Sequence, residues 1–325
     1  MEGKDDRRSD RFAKTKKHFS SGKYKPKTKR DKTAPRIRPP ESSGENGRKE
    51  NTRIAKGTVD ICNNGFYSYK GNKIDIMQQL EFAKQQTMSY SPEETPINVM
   101  VGNRETQFQV VKTQTLEACQ IEGNGKEDEK HICVLNFASA KNPGGGFLKG
   151  SNAQEESIAR ASGLYACIKN NIMYEKNAQD NNKCLYSHHM IFSPTVPVFR
   201  DKNDDLIEKP FCISFITSPA VNAKQAKIQN IDNDVINQTM LERMDRFLSV
   251  TVWNHVDILI LGAWGCGVFG GNNEIVAKQF FDLLTGKYYG MFEKVIFTVI
   301  GDADFTVFSR LFGSEIATES KYKID

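Results

Sequence analysis

Long apolar runs are missing from this 325-residue chain. No stretch approaches the roughly 20 apolar residues that cross a bilayer, and the basic N-terminus has no apolar segment behind it. Neither secretion nor a membrane span is expected. Paired metal-binding cysteines are missing too. The seven cysteines, at 62, 119, 133, 167, 184, 212 and 266, include no C-x-x-C pair and have no histidines at ligand spacing. That pattern points to a reducing, intracellular compartment, cytoplasmic or nuclear, without a structural zinc. There is no G-x-S-x-G elbow and no H-E-x-x-H helix, which removes the common serine and zinc hydrolases. Leu, Ile and Val are nearly absent from residues 1–50, and a segment that cannot bury apolar surface does not fold.

Charge takes their place. Met1–Lys56 carries 19 Lys/Arg against 8 Asp/Glu, a balance of +11, and the rest of the chain carries 26 against 32, a balance of −6. A disordered basic tail over residues 1–50 is therefore expected ahead of an acidic body over 51–325. Runs such as Lys14-Thr15-Lys16-Lys17 suit a nuclear address or an electrostatic tether to an acidic polymer, nucleic acid included. They equally suit a solvated arm without a specific partner.

From Asn51 the apolar pattern alternates between helical and strand periods. Helices are expected over 53–63, 75–89, 113–120, 153–170, 234–254, 273–284 and 305–312. Strands are expected over 97–101, 131–137, 190–192, 211–217, 256–261 and 294–300. Such alternation predicts an α/β fold, one sheet covered by helices on both faces. Charged surface loops are expected over 120–130 and 177–183.

The densest stretch is VLNFASAKNPGGGFLKGSNAQEESIARASGLYACI, Val134–Ile168. Gly144, Gly145 and Gly146 make a loop without Cβ atoms, which can approach a ligand closely and aim successive N–H groups at an anion. A phosphate is the natural guest. Seven residues later Gln154, Glu155 and Glu156 open a helix. Ser151 with Gln154, or Asn152 with Glu155, fits a capping box, and acids in a first turn complement the helix dipole, so the two glutamates also have a purely structural account.

A second strand, glycine loop and helix follows over Val256–Asn273. Its loop contains Gly265, Cys266, Gly267, Val268 and Phe269. In open α/β sheets ligands sit beyond the carboxyl ends of strands, so both loops would line one crevice, and two phosphate loops suggest a diphosphate. Phe269 could stack on a base or ribose, whereas Trp264, following directly on the strand, suits the core equally well. Gly265-x-Gly267-x-x-Gly270 also spells the dinucleotide fingerprint. The acidic residue that should hold the ribose would be Asp302, 32 positions on instead of about 20, and the motif precedes the final strand, which disfavours hydride transfer. His188 and His189, adjacent in a strand-like run, would face opposite sides and are read as structural.

The triple glycine, its spacing to Gln154-Glu155-Glu156, the upstream Asn136–Pro143, the downstream Leu261–Phe269 and Arg53–Lys56 together resemble the poly(ADP-ribose) glycohydrolases of the microbial type, over about Asn51–Asp325. The resemblance implies a macrodomain, a three-layer α/β/α sandwich with a mixed central sheet, that binds ADP-ribose and hydrolyses the ribose–ribose bond of poly(ADP-ribose) or of ADP-ribosylated proteins. It implies Glu156 as catalytic acid, Glu155 as the holder of ribose hydroxyls, Asn142 as a ribose contact, Gly144–Gly146 as the diphosphate loop, and Gly265–Phe269 as the second phosphate and ribose loop. Gln154 joins the substrate-binding set, and neither metal nor cofactor is expected. The alternatives are a mono-ADP-ribosyl hydrolase of the same fold and a non-catalytic ADP-ribose binder. Weak nucleic-acid contact through the tail is a further expectation.

Adjacent helical residues diverge by about 100°, so Glu155 and Glu156 cannot flank a glycosidic bond from opposite sides. One must transfer the proton while the other positions. A helix N-terminus favours an ionised glutamate, so an acid at Glu156 needs help. A bound diphosphate and a negative Glu155 are expected to raise its proton affinity in the complex.

Overall fold

The computed structural model of the chain describes residues 44–94, 102–123, 130–179 and 184–313. Among these the elements run α1 (Glu45–Asn64), β1 (Phe66–Tyr69), β2 (Asn72–Asp75), α2 (Met77–Gln86), β3 (Met88–Tyr90), β4 (Gln107–Val111), α3 (Thr115–Gly123), β5 (Ile132–Phe137) and α4 (Gln154–Ala161). They continue with α5 (Leu164–Ile168), α6 (Ile172–Gln179), β6 (Met190–Arg200), β7 (Leu206–Ser218), α7 (Ala223–Ile228), α8 (Asn233–Trp253), β8 (Ile258–Gly262), α9 (Asn273–Thr285), β9 (Lys294–Thr298) and α10 (Asp302–Phe312).

Seven strands form one mixed sheet in the order β3-β6-β7-β5-β8-β9-β4. From β7 to β4 the neighbours are parallel, and β3, β6 and β7 pair antiparallel. The parallel core strands are apolar on both faces because both faces are covered. Leu135, Leu259, Leu261, Val295 and Phe297 point into a core shared with α7 to α10. Their neighbours Val134, Ile258, Ile260 and Ile296 point into a second core with α2 to α6. Two cores on the two faces of one sheet make the expected α/β/α sandwich.

Where the sequence reading departs from this structure, a tertiary interaction is the cause. The helix expected over 153–170 is cut at Ser162, which leaves the helix to bridge Val198 of β6, while the N–H of Gly163 reaches Pro197 O. The strand expected over 190–192 runs on to Arg200 through Pro194 and Pro197, residues that ordinarily interrupt strands. A bulge between Ser193 and Val196 accommodates Pro194, with Thr195 at φ +47°, whereas Pro197 stays in register opposite Cys212. The hairpin β1–β2 turns on Lys70 and Gly71, both at positive φ, as a two-residue turn requires; it was not expected, nor were β3, β4, α6 or α7. Helix α1 begins at Glu45, ahead of the expected 53. Of the expected loop over 120–130, Gln120–Gly123 close α3, and of that over 177–183, Asn177–Gln179 close α6. The expected strand over 97–101 lies outside the described residues, as does nearly all of the basic tail.

The apolar core beneath β8 and β9 is aromatic. Phe297 packs against Phe280, Phe308 and Phe312, with ring centroids 4.4 to 5.5 Å apart. Phe297→Ala should destabilise the protein by about 3–5 kcal/mol, read as a lower denaturation midpoint with unchanged steepness in urea.

Candidate active site

Four parallel strands end on the same side of the sheet, and the segments leaving them enclose a cleft of about 460 Å³. Thr113 and Thr115 follow β4, Phe137–Ser139 follow β5, Gly265–Phe269 follow β8, and Thr298–Gly301 follow β9. The start of α4 supplies Gln154, Glu155 and Glu156 to the same cleft. Such a crevice beyond the carboxyl ends of strands is where an α/β sheet can hold a ligand without disturbing its own hydrogen bonds.

The residue that opens α4 is Ala153, not Ser151 or Asn152. Ala153 donates its N–H to Glu156 Oε2 at 3.1 Å, and with no side-chain acceptor of its own it completes only half of a capping box. Asn152 is engaged elsewhere: its Oδ1 accepts from Arg160 Nη2. Glu156 Oε1 accepts the N–H of Gly146 at 2.9 Å. Both carboxylate oxygens of Glu156 are thus held by main-chain donors, with the residue 9% exposed.

Glu155 sits deeper, 4% exposed. Its Oε2 accepts the Ser139 N–H at 2.7 Å, while Oε1 is buried without a hydrogen-bond partner among the described residues. Burial, helped by the charge of Glu156, pushes its carboxyl up to about 8 against the Ser139 N–H and the nearby polar groups of Asn136 and Gly144. Near neutral pH Glu155 therefore keeps a proton. In the free protein a neutral Glu155 adds no negative charge beside Glu156.

The triple glycine explains why two carboxyls fit here. Gly144 and Gly145 adopt φ of +68° and +60°, and a Cβ on Gly145 would lie 2.9 Å from Glu155 Oε2 and closer still to Glu156 Oε1. Gly145 returns its N–H to Asn142 O. The loop's N–H groups are turned toward the protein's own carboxyls and carbonyls, and Asn142 and Gly144–Gly146 do not line the cleft. Asn142 is exposed and is tied by its N–H to Ser139 Oγ. The Gln154 amide is spent on the end of β5, accepting from Phe137 N–H and donating to Leu135 O.

On the opposite wall the second loop is pinned by its own backbone: Cys266 N–H reaches Ala263 O, Gly270 N–H reaches Gly267 O, and Gly271 N–H reaches Gly265 O. The N–H groups of Gly267, Val268 and Phe269 have no acceptor among the described residues, and all three residues line the cleft. Consecutive main-chain donors at a cleft wall are a means of binding an anion. Val268 is 86% exposed at the rim, facing solvent together with Ile300, 70% exposed. Phe269 leans on Tyr186, centroids 6.5 Å apart. Cys266 turns its sulfur toward Trp264 O and does not line the cleft. Trp264 is core: fully buried, edge-on to Phe247 and donating to Ser218 O.

Sequence reasoning missed Asn136, Ser139, Thr113, Thr115 and the segment after β9, including Asp304, which accepts from Asn273 Nδ2. The only available signal was position just past a strand. His188 faces Glu242 at 3.4 Å and His189 bonds Ser187, both away from the cleft. All seven cysteines are free. Among the described residues no cluster of His, Cys, Asp and Glu could hold a metal ion, and no helix is long and apolar enough to cross a membrane.

Comparison with known proteins bears on the fold and the family. Residues 55–201 match the model of the microbial-type PARG catalytic domain. The fold is similar to the crystal structure of poly(ADP-ribose) glycohydrolase from Thermomonospora curvata, at 35% identity and TM-score 0.75, covering 82% of this chain and 100% of that one. The same enzyme bound to the inhibitor ADP-HPD is similar at 35% identity and TM-score 0.74, covering 81% and 99%. The enzyme from Deinococcus radiodurans in complex with ADP-ribose is similar at 36% identity and TM-score 0.65, covering 71% and 96%. No curated protein sequence matches. Similar at 35% identity over 82% of its own length and the whole length of the Thermomonospora enzyme, the chain belongs to the microbial-type poly(ADP-ribose) glycohydrolase family.

Proposed function

We propose that the protein hydrolyses the ribose–ribose bond of poly(ADP-ribose) and releases ADP-ribose, with Glu156 as the acid. The observation that carries this reading is the pair of carboxyls facing an anion cradle across one cleft. The free N–H groups of Gly267–Phe269 take the diphosphate, and Phe269 lies against the ribose. Glu155, which lines the same cleft, holds a ribose hydroxyl.

Glu155, pushed up to about 8 by burial, keeps a proton at neutral pH in the free protein. A ribose hydroxyl donating to Glu155 favours its ionised form, and a diphosphate nearby favours protonation of Glu156, so binding shifts the proton toward the cleft. Glu156 gives that proton to the departing 2′ oxygen as the bond to the anomeric carbon breaks and an oxocarbenium-like centre forms. A water then adds to this carbon and returns a proton to the Glu156 carboxylate. Bond, proton and acid are each restored or accounted for at the end of the cycle. The basic tail adds affinity for the anionic polymer, with nucleic acid as a weaker partner.

Release of ADP-ribose from a poly(ADP-ribosyl)ated protein, with ADP-ribose binding followed by calorimetry, tests the assignment. Glu156→Gln should lose release by 10²-fold or more while still binding ADP-ribose. Wild type that binds ADP-ribose tightly and releases none would make the protein a reader, or an enzyme for another linkage. Deleting residues 1–43, which leaves α1 whole, should preserve hydrolysis; loss of all activity would favour a tail-led function.

The pH dependence follows from Glu155. The carboxyl titrates at its ordinary 4.5 when unfolded and at about 8 when folded. Between these values the native state keeps a proton that the unfolded chain gives up, so this group costs stability as pH rises, fully so above pH 8. Glu155→Gln should therefore gain in melting temperature over wild type between pH 5 and pH 8.5, and an advantage that is flat with pH would refute the protonated assignment. For wild type, kcat/KM should fall above about pH 8 as the pair loses its proton, with the limb displaced in kcat. Gly145→Ala, whose methyl would meet both carboxyls, should lower kcat by about 10²-fold or more.

A further inference from the structure

Arg160 lies one turn after Glu156 on α4, is 2% exposed and folds its guanidinium back toward the helix start, as helical side chains do. It does not line the cleft. Nε meets both carboxylate oxygens of Asp204, at 2.9 and 3.1 Å. Nη1 donates to Ser151 O at 3.0 Å and Nη2 to Asn152 Oδ1 at 2.7 Å. Ser151 in turn donates its N–H to Gly146 O, and Gly146 donates its own to Glu156 Oε1. Two residues past Ser151, Ala153 holds the other oxygen of Glu156. From the guanidinium to the reacting carboxylate there is an unbroken line of hydrogen bonds through the segment 151–153.

The far end of this line is anchored on the β6–β7 turn. Asp204 sits there at φ +66°, its carbonyl accepting from Arg200 Nη1. Arg200 Nε donates to Thr58 Oγ1 of α1, and Thr58 Oγ1 donates to Arg160 O. Four residues from α1, α4, β6 and the turn close a ring behind the site. A buried ion pair is a poor source of net stability, since desolvation offsets its attraction, and a simple packing role would be met by apolar residues. A fork that engages a carboxylate and two separate loop oxygens instead fixes position.

We propose that the Arg160–Asp204 pair is a positioning device: it holds the segment 151–153, and with it the glycine loop, at the height where Glu156 reaches the cleft, and so sets turnover without touching substrate. This rests on the glycohydrolase reading above. The test uses the full chain with Asp204→Asn, which keeps shape and removes charge, and Asn152→Ala, which removes one leg of the clamp at an exposed position and leaves the buried pair intact. Initial rates of ADP-ribose release give kcat and KM across pH, calorimetry gives ADP-ribose affinity, and thermal melts report folding.

Asp204→Asn is expected to lower kcat by about tenfold to a hundredfold, with KM and ADP-ribose affinity within about twofold and the pH limb of kcat displaced. Asn152→Ala is expected to fall in the same sense by a smaller factor. The double variant should fall short of the product of the two losses, because both act on one clamp. Unchanged kcat in Asn152→Ala, or loss of ADP-ribose affinity in step with kcat, overturns the proposal, and should Asp204→Asn fail to fold, Asn152→Ala decides alone. Wild type that releases no ADP-ribose sinks the glycohydrolase reading and this inference with it, whereas an active wild type beside indifferent variants sinks the clamp only.

Discussion

Two carboxyl groups placed side by side at the first turn of one helix are an electrostatic problem, and much of the site is arranged around solving it. Like charges in a buried place cannot both ionise cheaply. The chain resolves this by unequal treatment: Glu156 receives main-chain donors from Gly146 and Ala153 on both oxygens, while Glu155 is buried until it holds a proton. A protonated carboxyl beside a second one is the arrangement that the proposed acid catalysis draws on.

The glycines follow from this constraint. A phosphate loop and a carboxylate cradle have the same sequence requirement, a backbone without Cβ atoms and N–H groups turned one way. In this protein the first loop's N–H groups meet the protein's own carboxyls and carbonyls, while in the second those of Gly267–Phe269 have no acceptor among the described residues. The division of labour between two similar motifs lies in what each loop packs against. α4 presses its glutamates into the first, whereas the second faces the opening of the cleft with Val268 in solvent.

Much of the architecture was legible in the chain because local signals and tertiary demands agree there. The core strands β5, β8 and β9 are continuous apolar runs, and α8 and α9 carry helical spacing with Asp232 and Asn272 as their caps. The failures came where tertiary contacts overrode the local pattern. Ser162 abandons a helix to bridge β6, and Pro194 of β6 is absorbed by a bulge. Short strands such as β3 and β4, at the two edges of the sheet, carry too few residues for a period to show. In the site, the glutamates and second-loop residues were legible as motifs, but Ser139, Asn136 and Thr298 contribute through place alone.

The sequence by itself determined an α/β protein with two glycine loops and two adjacent glutamates at a helix start, since spacing, periodicity and residue type are all local properties, and its motifs carried the resemblance to the microbial-type poly(ADP-ribose) glycohydrolases. Only the tertiary structure decided which glutamate keeps the proton, which loop has free donors, and that Arg160 reaches from α4 to Asp204 across 44 residues. Proton affinity depends on burial and on donors brought from distant segments, and a hydrogen-bond donor counts as free only once every possible acceptor has been placed.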